Sequence, residues 1–289
     1  SNSYGFRPQL GCKDALREVD SLLKTGNTWV VDADLKSFFD TIDHDRLMSL
    51  IKEKIADSRV LDLIEKFLKQ EVMESMKLWK PEAGTPQGAV ISPLLANIYL
   101  HPMDIAMKAS GYEMVRYADD FVILSPNRDQ AQSALSQLGK ITEEHKVQLH
   151  PGKTHLVNAR SPNKGFEFLG YHFKAGKRWP RKKSLKRYKD KIRAKTRRSN
   201  AHSMQAIVAE VSRINRGWFE YYKHSRKPVF GALDGWVRRR LRSIKHRRRK
   251  QKGMSSLLAN KRWPNKYFAD LGYFSLADAH RSELQSSRG

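Results

Sequence analysis

The sequence has 289 residues, 39% of them hydrophobic and 10% aromatic, which is enough to bury the core of one large domain or two smaller ones. Its 55 lysines and arginines exceed its 30 aspartates and glutamates and give a net charge of +25, which favours a polyanionic partner, either nucleic acid or an anionic membrane surface. The single cysteine, Cys12, excludes an intrachain disulfide and a cysteine-rich zinc site, and no apolar run approaches the roughly 18 residues of a membrane span.

Helical and alternating apolar patterns predict a mixture of helices and strands over the first 173 residues. In chain order we expect a helix over Lys13–Thr25, a strand over Thr28–Leu35, helices over His44–Ala56 and Ser58–Met73, a shaped loop over Gly84–Pro93 entering a helix over Leu94–Lys108, two strands flanking Asp119-Asp120, a helix over Arg128–His145, and short strands around Val147–Leu149, His155–Val157 and Phe166–Phe173. Asp43 is a candidate helix cap. Such a mixture favours an α+β fold over a doubly wound parallel sheet.

The composition changes at GKRWPRKK (Gly176–Lys183), and the pattern beyond it is helical. Helices are predicted over Leu185–Arg198, Met204–Tyr222 and Ala232–Lys250. Residues 1–180 carry 24 Lys and Arg against 23 Asp and Glu, whereas residues 181–289 carry 31 against 7. The charge distribution therefore indicates a near-neutral first region followed by a basic helical region.

The stretch VRYADDFVIL (Val115–Leu124) places two aspartates side by side between two strand-forming runs. Ordinary turns favour aspartate, so a plain hairpin tip is one interpretation. The other interpretation is a metal site: Asp34 ends the strand Thr28–Leu35, and three carboxylates at one sheet edge would suit Mg²⁺. Two such ions about 4 Å apart support phosphoryl transfer. The residues alone leave both interpretations open.

Further stretches resemble, in wording and in order, the motifs of reverse transcriptases. They are YGFRP (Tyr4–Pro8), ADLKSFFDTIDHDRL (Ala33–Leu47), TPQGAVISPLLANIYL (Thr85–Leu100), YADD (Tyr117–Asp120), HPGKT (His150–Thr154) and FLGY (Phe168–Tyr171). Within that family the wording is most similar to the reverse transcriptase–maturases encoded by group II introns. RGWFEYYKHS (Arg216–Ser225) and LGYFSL (Leu271–Leu276) resemble the thumb, or maturase domain, of those proteins.

The resemblance implies a right-hand polymerase: partial fingers and a palm over residues 1–178, with an antiparallel sheet packed on helices, then an all-α basic thumb over residues 179–289. Relatives carry more fingers sequence before Tyr4, so we expect this chain to begin within the fingers. No endonuclease module is expected after the thumb. The similarity also implies an intracellular protein, cytoplasmic and nucleoid-associated in a bacterium or else organellar, rather than a secreted one.

By similarity, Asp34, Asp119 and Asp120 are the carboxylates for two Mg²⁺ ions, which Mn²⁺ can replace, and Asp120 is the weaker ligand. Lys153 is expected to face the triphosphate as a cation or proton donor. The remaining nucleotide contacts implied by the resemblance are Leu35, Phe39, Gln87 and Gly88. Phe39 falls at the position where a ring excludes a 2′-hydroxyl, although one of Phe38 and Phe39 must be plain core.

Contacts to primer and template are implied for Arg7, Tyr117, Phe168, Leu169 and Gly170. For the basic region, phosphate contacts predict salt-dependent RNA binding. The residues expected to make them are Lys182, Lys183, Arg187, Arg197, Arg198, Arg238, Arg239, Arg247 and Arg248. Aromatic residues lie between these charges, and we expect Trp218, Tyr222 and Trp236 to belong to the core.

The leading hypothesis is an RNA-directed DNA polymerase of group II intron type, which takes an RNA template, a DNA primer or target and dNTPs. The alternative is an RNA-binding splicing maturase with little or no polymerase activity. An RNA-dependent RNA polymerase is disfavoured by Phe39 and by the YADD wording. A membrane partner is disfavoured because no lipidation motif or separate aromatic stripe accompanies the charge.

Overall fold

The computed structural model describes residues 2–69, 72–74, 77–79, 83–85, 89–249 and 256–286. The helices and strands, in chain order, are α1 (Cys12–Lys24), β1 (Trp29–Asp34), α2 (Phe38–Thr41), α3 (His44–Lys52), α4 (Ser58–Leu68), β2 (Val72–Glu74), β3 (Lys77–Trp79), α5 (Ser92–Ala109), β4 (Glu113–Tyr117), β5 (Asp120–Ser125), α6 (Arg128–Glu144), β6 (His155–Asn158), β7 (Phe166–Phe168), β8 (Tyr171–Lys174), β9 (Lys177–Pro180), α7 (Lys182–Lys195), α8 (Met204–Tyr222), α9 (Pro228–Arg248), α10 (Ser256–Arg262), α11 (Asn265–Asp270) and α12 (Leu276–Ser286). None of the helices in these ranges is long and apolar enough to cross a membrane.

The chain divides into two compact units. The first comprises Ser1–Leu169 and Phe173–Gly176, and the second comprises Gly170–His172 and Lys177–Gly289. The predicted limits of fingers, palm and thumb remain predictions.

The first unit is built on a four-stranded sheet in the order β4-β5-β1-β6, in which the neighbouring strands run antiparallel. One face of the sheet packs on the helices α5 and α6, and α3 packs in turn on α5. Val31 and Ala33 on β1 and Phe121 and Ile123 on β5 lie on this face, fully or almost fully buried. Since strand residues alternate between faces, Asp32 and Asp34 lie on the opposite face, as the alternation in β1 predicts. The mixed architecture confirms the predicted α+β class.

Side-chain caps fix where several helices of this unit begin. The Asp43 carboxylate accepts a hydrogen bond from the Arg46 amide at 2.8 Å, which confirms the predicted cap of α3. Asn127 caps α6 in the same way through the Gln130 amide at 2.9 Å. Each cap satisfies a backbone N–H that the first turn of the helix leaves without a partner.

The second unit has its own core, formed by α7, α8, α9 and the short helices that follow. Aromatic side chains dominate it, with Tyr188, Phe219, Phe230 and Phe268 almost fully buried. Trp218 and Trp236 are half-buried and pack against this core without lying inside it, so their predicted place in the core holds only in part. Tyr222 is also half-buried, and its ring lies 4.8 Å from that of Trp218.

A buried carboxylate joins α9 to the start of α12. Asp234 is 1% exposed and accepts hydrogen bonds from the Tyr273 hydroxyl at 2.8 Å and the Ser275 hydroxyl at 2.8 Å. It also accepts from the amides of Leu276 at 3.1 Å and Ala277 at 3.0 Å. These amides open α12, so a side chain from another helix provides its cap.

Several predicted elements differ in extent or type, among them the helix predicted over His44–Ala56, which ends at Lys52. The helix predicted over Ser58–Met73 ends at Leu68, because residues 72–74 pair with residues 77–79 as a hairpin instead. The strand predicted around Val147–Leu149 is reduced to one isolated bridge between Leu35 and Leu149. The edge position beside β1 is taken by β6 after the Pro151-Gly152 turn.

Candidate active site

The strand register places the predicted carboxylates together. In the β1–β5 pair, Asp34 lies directly opposite Asp120, and in the β4–β5 pair Asp120 lies opposite Tyr117. Residues opposite each other in adjacent strands project from the same face, with Cβ atoms about 4.5–5.5 Å apart. A row of Tyr117, Asp120 and Asp34 therefore crosses three strands on the face away from the core.

Asp119 lies in the tight turn that joins β4 to β5. Only Ala118 and Asp119 separate the paired residues Tyr117 and Asp120, and Ala118 has a φ of +58°, in the left-handed region. Two-residue hairpins require such backbone angles, which a residue with a Cβ adopts at a cost. The turn directs Asp119 toward the same edge of the sheet where β1 ends.

Burial and neighbouring negative charges both raise the pKa values of carboxyl groups at this edge. Burial raises the pKa of the Asp119 carboxyl, and the charge of Asp34 raises it further, while Arg116 and Lys153 act in the opposite direction. Asp32, two residues before Asp34 on the same face, has a pKa raised to about 6, mainly by burial and then by the charges of Glu167 and Asp34. Burial is the larger cause of both shifts, and the neighbouring carboxylates add to it.

Lys153 is the cation that the structure brings to this edge. Its Nζ lies 2.6 Å from Asp34 Oδ2. The turn that carries it is closed by bonds from the Lys153 and Thr154 amides to the His150 carbonyl, and the His150 amide donates to the Asp34 carbonyl at 2.8 Å. Lys153 thus approaches Asp34 from a turn that is itself attached to the end of β1.

The β7–β8 turn lies against the second aspartate of the pair. The Leu169 amide donates to Asp120 Oδ2 at 3.4 Å, and Leu169 and Gly170 both have positive φ. Phe168 beside them is fully buried. Asp120 is therefore engaged with the chain that follows β7.

Of the two adjacent phenylalanines, one lies inside the core and the other packs against it while partly exposed. Phe38 is 2% exposed, whereas Phe39 is half-buried, with the two ring centroids 5.4 Å apart. The following loop is tied to this segment, since the Thr85 amide donates to the Phe39 carbonyl at 2.7 Å. A Cβ at Gly84 would lie 2.7 Å from the same oxygen, so only glycine allows this approach.

The other predicted nucleotide and primer contacts in the described part of the chain are buried or half-buried. Leu35 is 4% exposed, so it offers a ligand its backbone more readily than its side chain. Gln87 and Gly88 lie outside the described residues. Arg7 is half-buried and follows Phe6, whose ring is 6.0 Å from that of Tyr117.

The donor chemistry fits a divalent cation. Carboxylate oxygens are hard ligands of the kind Mg²⁺ prefers. In the arrangement described, with Lys153 on Asp34, no three acidic, histidine or cysteine side chains among the placed residues gather tightly enough to hold a metal ion. Lys153 would have to leave Asp34 Oδ2 for a metal ion to take that oxygen.

Sequence reasoning missed Arg116, which is fully buried beneath the turn. A signal was present, because the alternation of β4 places this arginine on the core face, beside Met114 and opposite Phe121. A charge at such a position requires buried partners.

Most predicted RNA contacts on the second unit are exposed. These are Lys182, Lys183, Arg187, Arg197, Arg198, Arg239, Arg247 and Arg248. Arg238 is less exposed than these residues: its side chain is 14% exposed, 3.8 Å from Asp234, and its guanidinium lies 5.1 Å from the Tyr273 ring centre. These contacts support the fold of this unit, and the contact of Arg238 with RNA remains a prediction.

A basic groove with aromatic walls runs between α7 and α8. It has a volume of about 440 Å³ and is lined by Arg187, Lys191 and Arg213 together with Trp218 and Tyr221. Cations and rings in one groove are suited to phosphates and unpaired bases.

Comparisons with known proteins agree with this geometry. Residues 1–173 match the reverse transcriptase (RNA-dependent DNA polymerase) family, and residues 185–265 match the group II intron, maturase-specific domain. The chain is 48% identical over 102 residues to the group II intron-encoded protein LtrA of Lactococcus lactis subsp. cremoris, covering 35% of this chain and 17% of that protein. It is 31% identical over 208 residues to protein YkfC of Escherichia coli (strain K12), covering 58% of this chain and 54% of that protein.

Among solved structures, apo telomerase from Candida tropicalis is similar with a TM-score of 0.51 and 15% identity, covering 85% of this chain and 52% of that one. This likeness concerns the fold alone. The chain spans less than two thirds of each of these relatives. The match over residues 1–173, joined to the maturase-specific match, shows that the chain belongs to the reverse transcriptase family, in the group II intron-encoded branch.

Proposed function

We propose that this chain is the catalytic part of an RNA-directed DNA polymerase that extends a DNA primer with dNTPs on an RNA template. The observation that carries the proposal is the register pair Asp34–Asp120, which, with Asp119 in the adjoining turn, brings the acidic residues of two motifs to one sheet edge. Their order and wording match the family found over residues 1–173.

In this proposal Asp34 and Asp119 hold two Mg²⁺ ions, and Asp120 contributes less because it accepts from the Leu169 amide. The ions, when bound, activate the primer 3′-hydroxyl and stabilise the leaving oxygen. Lys153 exchanges its contact with Asp34 for the triphosphate, where its ammonium neutralises charge or donates a proton to the leaving pyrophosphate. Phe39 limits space at the sugar C2′, and the segment containing Gln87 and Gly88 contacts the nucleotide.

Primer extension on an RNA template tests the proposal. Mg²⁺-dependent incorporation is expected to fall at least about 10³-fold in Asp119→Ala, since a metal carboxylate is lost. Asp129→Ala, at an exposed acidic position on α6, is the matched control and should retain activity. Equal activity of Asp119→Ala and the control would exclude this assignment of the site.

A second function, binding intron RNA to assist its splicing, is favoured by the maturase-specific match and by the basic groove of α7 and α8. Gel-shift titration with an intron RNA domain and with a random RNA of equal length distinguishes specific from general binding. The double variant Arg187→Ala/Lys191→Ala should lower the slope of log affinity against log salt by about 1–2, because each phosphate contact releases a counterion. Equal slopes for the variant and for Lys140→Ala would contradict a role for the groove.

Both proposed substrates, RNA and dNTPs, place the action of the protein inside a cell or organelle. The two functions use different units of the chain and are compatible.

A further inference from the structure

Arg116 occupies a position where the sheet otherwise buries apolar side chains. It lies on the core face of β4 and is 0% exposed, so its guanidinium is removed from water. Burial of an unpaired charge costs on the order of several kcal/mol, because the charged group loses its hydration. Buried charged groups therefore occur with hydrogen-bonding partners that replace the lost water.

The partners of Arg116 account for the three nitrogens of its guanidinium. Nε donates to Asp104 Oδ1 at 2.6 Å and Nη2 donates to Asp104 Oδ2, a two-bond pairing with the carboxylate. Nη1 donates to Asn97 Oδ1 at 3.0 Å and to the Ala118 carbonyl at 2.8 Å. Asn97 and Asp104 are seven residues apart on α5, so they lie on the same face of that helix.

The amide of Asn97 extends this network to the start of the chain. Its Nδ2 donates to the Gly5 carbonyl at 2.8 Å. The Arg116 amide donates to the Asn2 carbonyl at 2.8 Å, and the Tyr4 amide donates to the Arg116 carbonyl at 2.9 Å. A Cβ on Gly5 would lie 2.6 Å from the Ala118 nitrogen, so this segment packs directly on the turn.

These contacts surround Ala118, the left-handed residue of the turn that directly precedes Asp119. Ala118 has a φ of +58°, a backbone conformation that is unfavourable for any residue with a Cβ. Its carbonyl is held by Arg116, and its nitrogen lies against Gly5. Since Asp119 follows directly, the direction of its carboxylate depends on this backbone angle.

We propose that Arg116, fixed by Asn97 and Asp104, is a positioning residue that holds Ala118 in the left-handed conformation and thereby sets the place of Asp119. Its effect on catalysis rests on the proposed polymerase function. Its effect on metal binding rests on the metal ligands assigned there, whereas its effect on the turn rests on neither, so the three are measured separately.

The main variant is Arg116→Lys, which keeps the charge beside Asp104 but cannot supply all the N–H groups. Mn²⁺ binding followed by electron paramagnetic resonance should weaken about 10-fold, as when a supporting group behind a metal ligand is lost. Hydrogen exchange of the peptide containing residues 117–121 should accelerate. In primer extension, kcat should fall about 10–100-fold with the KM for dNTP changed far less, because Asp119 is displaced and the nucleotide pocket is not.

Two further variants separate positioning from general damage. Ala118→Gly, added to Arg116→Lys, should restore part of the Mn²⁺ affinity and the exchange protection, since glycine adopts positive φ without strain. Gly5→Ala should reproduce the Arg116→Lys defects without leaving any buried charge unpaired, and it is read in the same way if Arg116→Lys does not fold. Leu138→Ala, a cavity in the core under α6, is the control for lost stability and should leave Mn²⁺ affinity and kcat unchanged below its melting temperature.

The proposal is overturned if folded Arg116→Lys, or Gly5→Ala in its place, keeps wild-type Mn²⁺ affinity and exchange. It is also overturned if Leu138→Ala shows the same losses, or if glycine at position 118 restores nothing. If the wild-type chain extends no primer, the polymerase proposal fails, while hydrogen exchange of residues 117–121 still decides whether Arg116 holds the turn.

Discussion

Removal of the Asp234 carboxylate is expected to destabilise the second unit strongly. Asp234→Ala would leave the amides of Leu276 and Ala277 without their acceptor at the start of α12. Each lost cap bond costs about 1 kcal/mol, and the buried hydroxyl of Tyr273, left without its partner, costs about 1–3 kcal/mol more. The free energy of unfolding of the full chain should therefore fall by about 4 kcal/mol, which is a large part of the roughly 5–15 kcal/mol of a typical domain.

Urea unfolding and hydrogen exchange of the α12 amides together measure this effect. Asp234→Asn keeps one carbonyl acceptor and should lose about half as much. Asp278→Ala, which removes an exposed carboxylate 3.3 Å from Arg281 on α12 itself, should cost no more than about 1 kcal/mol. A loss under about 1 kcal/mol for Asp234→Ala, or unchanged exchange at Leu276, would refute the assignment of this carboxylate as the cap of α12.

Three further predictions concern the first unit. Phe39→Val should raise ribonucleotide use relative to deoxynucleotide use by about 10–200-fold in competition assays. Phe38→Val, in the core, should lower stability without changing that ratio. An unchanged ratio in Phe39→Val would count against a role of the Phe39 ring in excluding a 2′-hydroxyl. Lys153→Ala should lower kcat by about 10²-fold. The unfolding free energy of Lys153→Ala should change by less than about 1 kcal/mol, because the Lys153 side chain is 61% exposed. A kcat of Lys153→Ala equal to that of the wild type would contradict the role of Lys153 at the triphosphate. Burial lowers the pKa of His145 below its ordinary 6.5, so the folded state resists its protonation and stability should fall as pH drops below about 6.5. His145→Phe should reduce this acid sensitivity in thermal melts at about pH 5 and pH 7, and an identical pH dependence would show that His145 contributes little.

Much of the fold and of the family assignment was accessible from the sequence. Alternation in β1 correctly separated the core residues Val31 and Ala33 from Asp32 and Asp34, because a strand has only two faces. The charge change near residue 180 indicated a basic region, and the family match over residues 1–173 confirms the resemblance drawn from the ordered motifs. The roles assigned to Asp34, Asp119 and Lys153 remain predictions.

Other features depend on partners that are distant in the sequence. The end of the predicted helix at Leu68 is instead a local difference, because residues 72–74 pair with residues 77–79 in a short hairpin that helical spacing of apolar residues does not indicate. The part of Arg116 in the turn requires Asn97, Asp104 and Gly5, and no local pattern shows that these residues converge. The sequence also does not reveal that Arg238 lies on the partly buried side of α9, one turn after Asp234.

The pairing of Asp34 with Asp120 has a consequence for how this protein tolerates insertions and deletions. Loss of one residue within Trp29–Ala33 would shift β1 by one position and turn the Asp34 carboxylate to the apolar face. Changes of length in the connections between strands leave that parity intact. The spacing of the motifs along the chain can therefore vary widely among related proteins, while the number of residues inside these two short strands cannot.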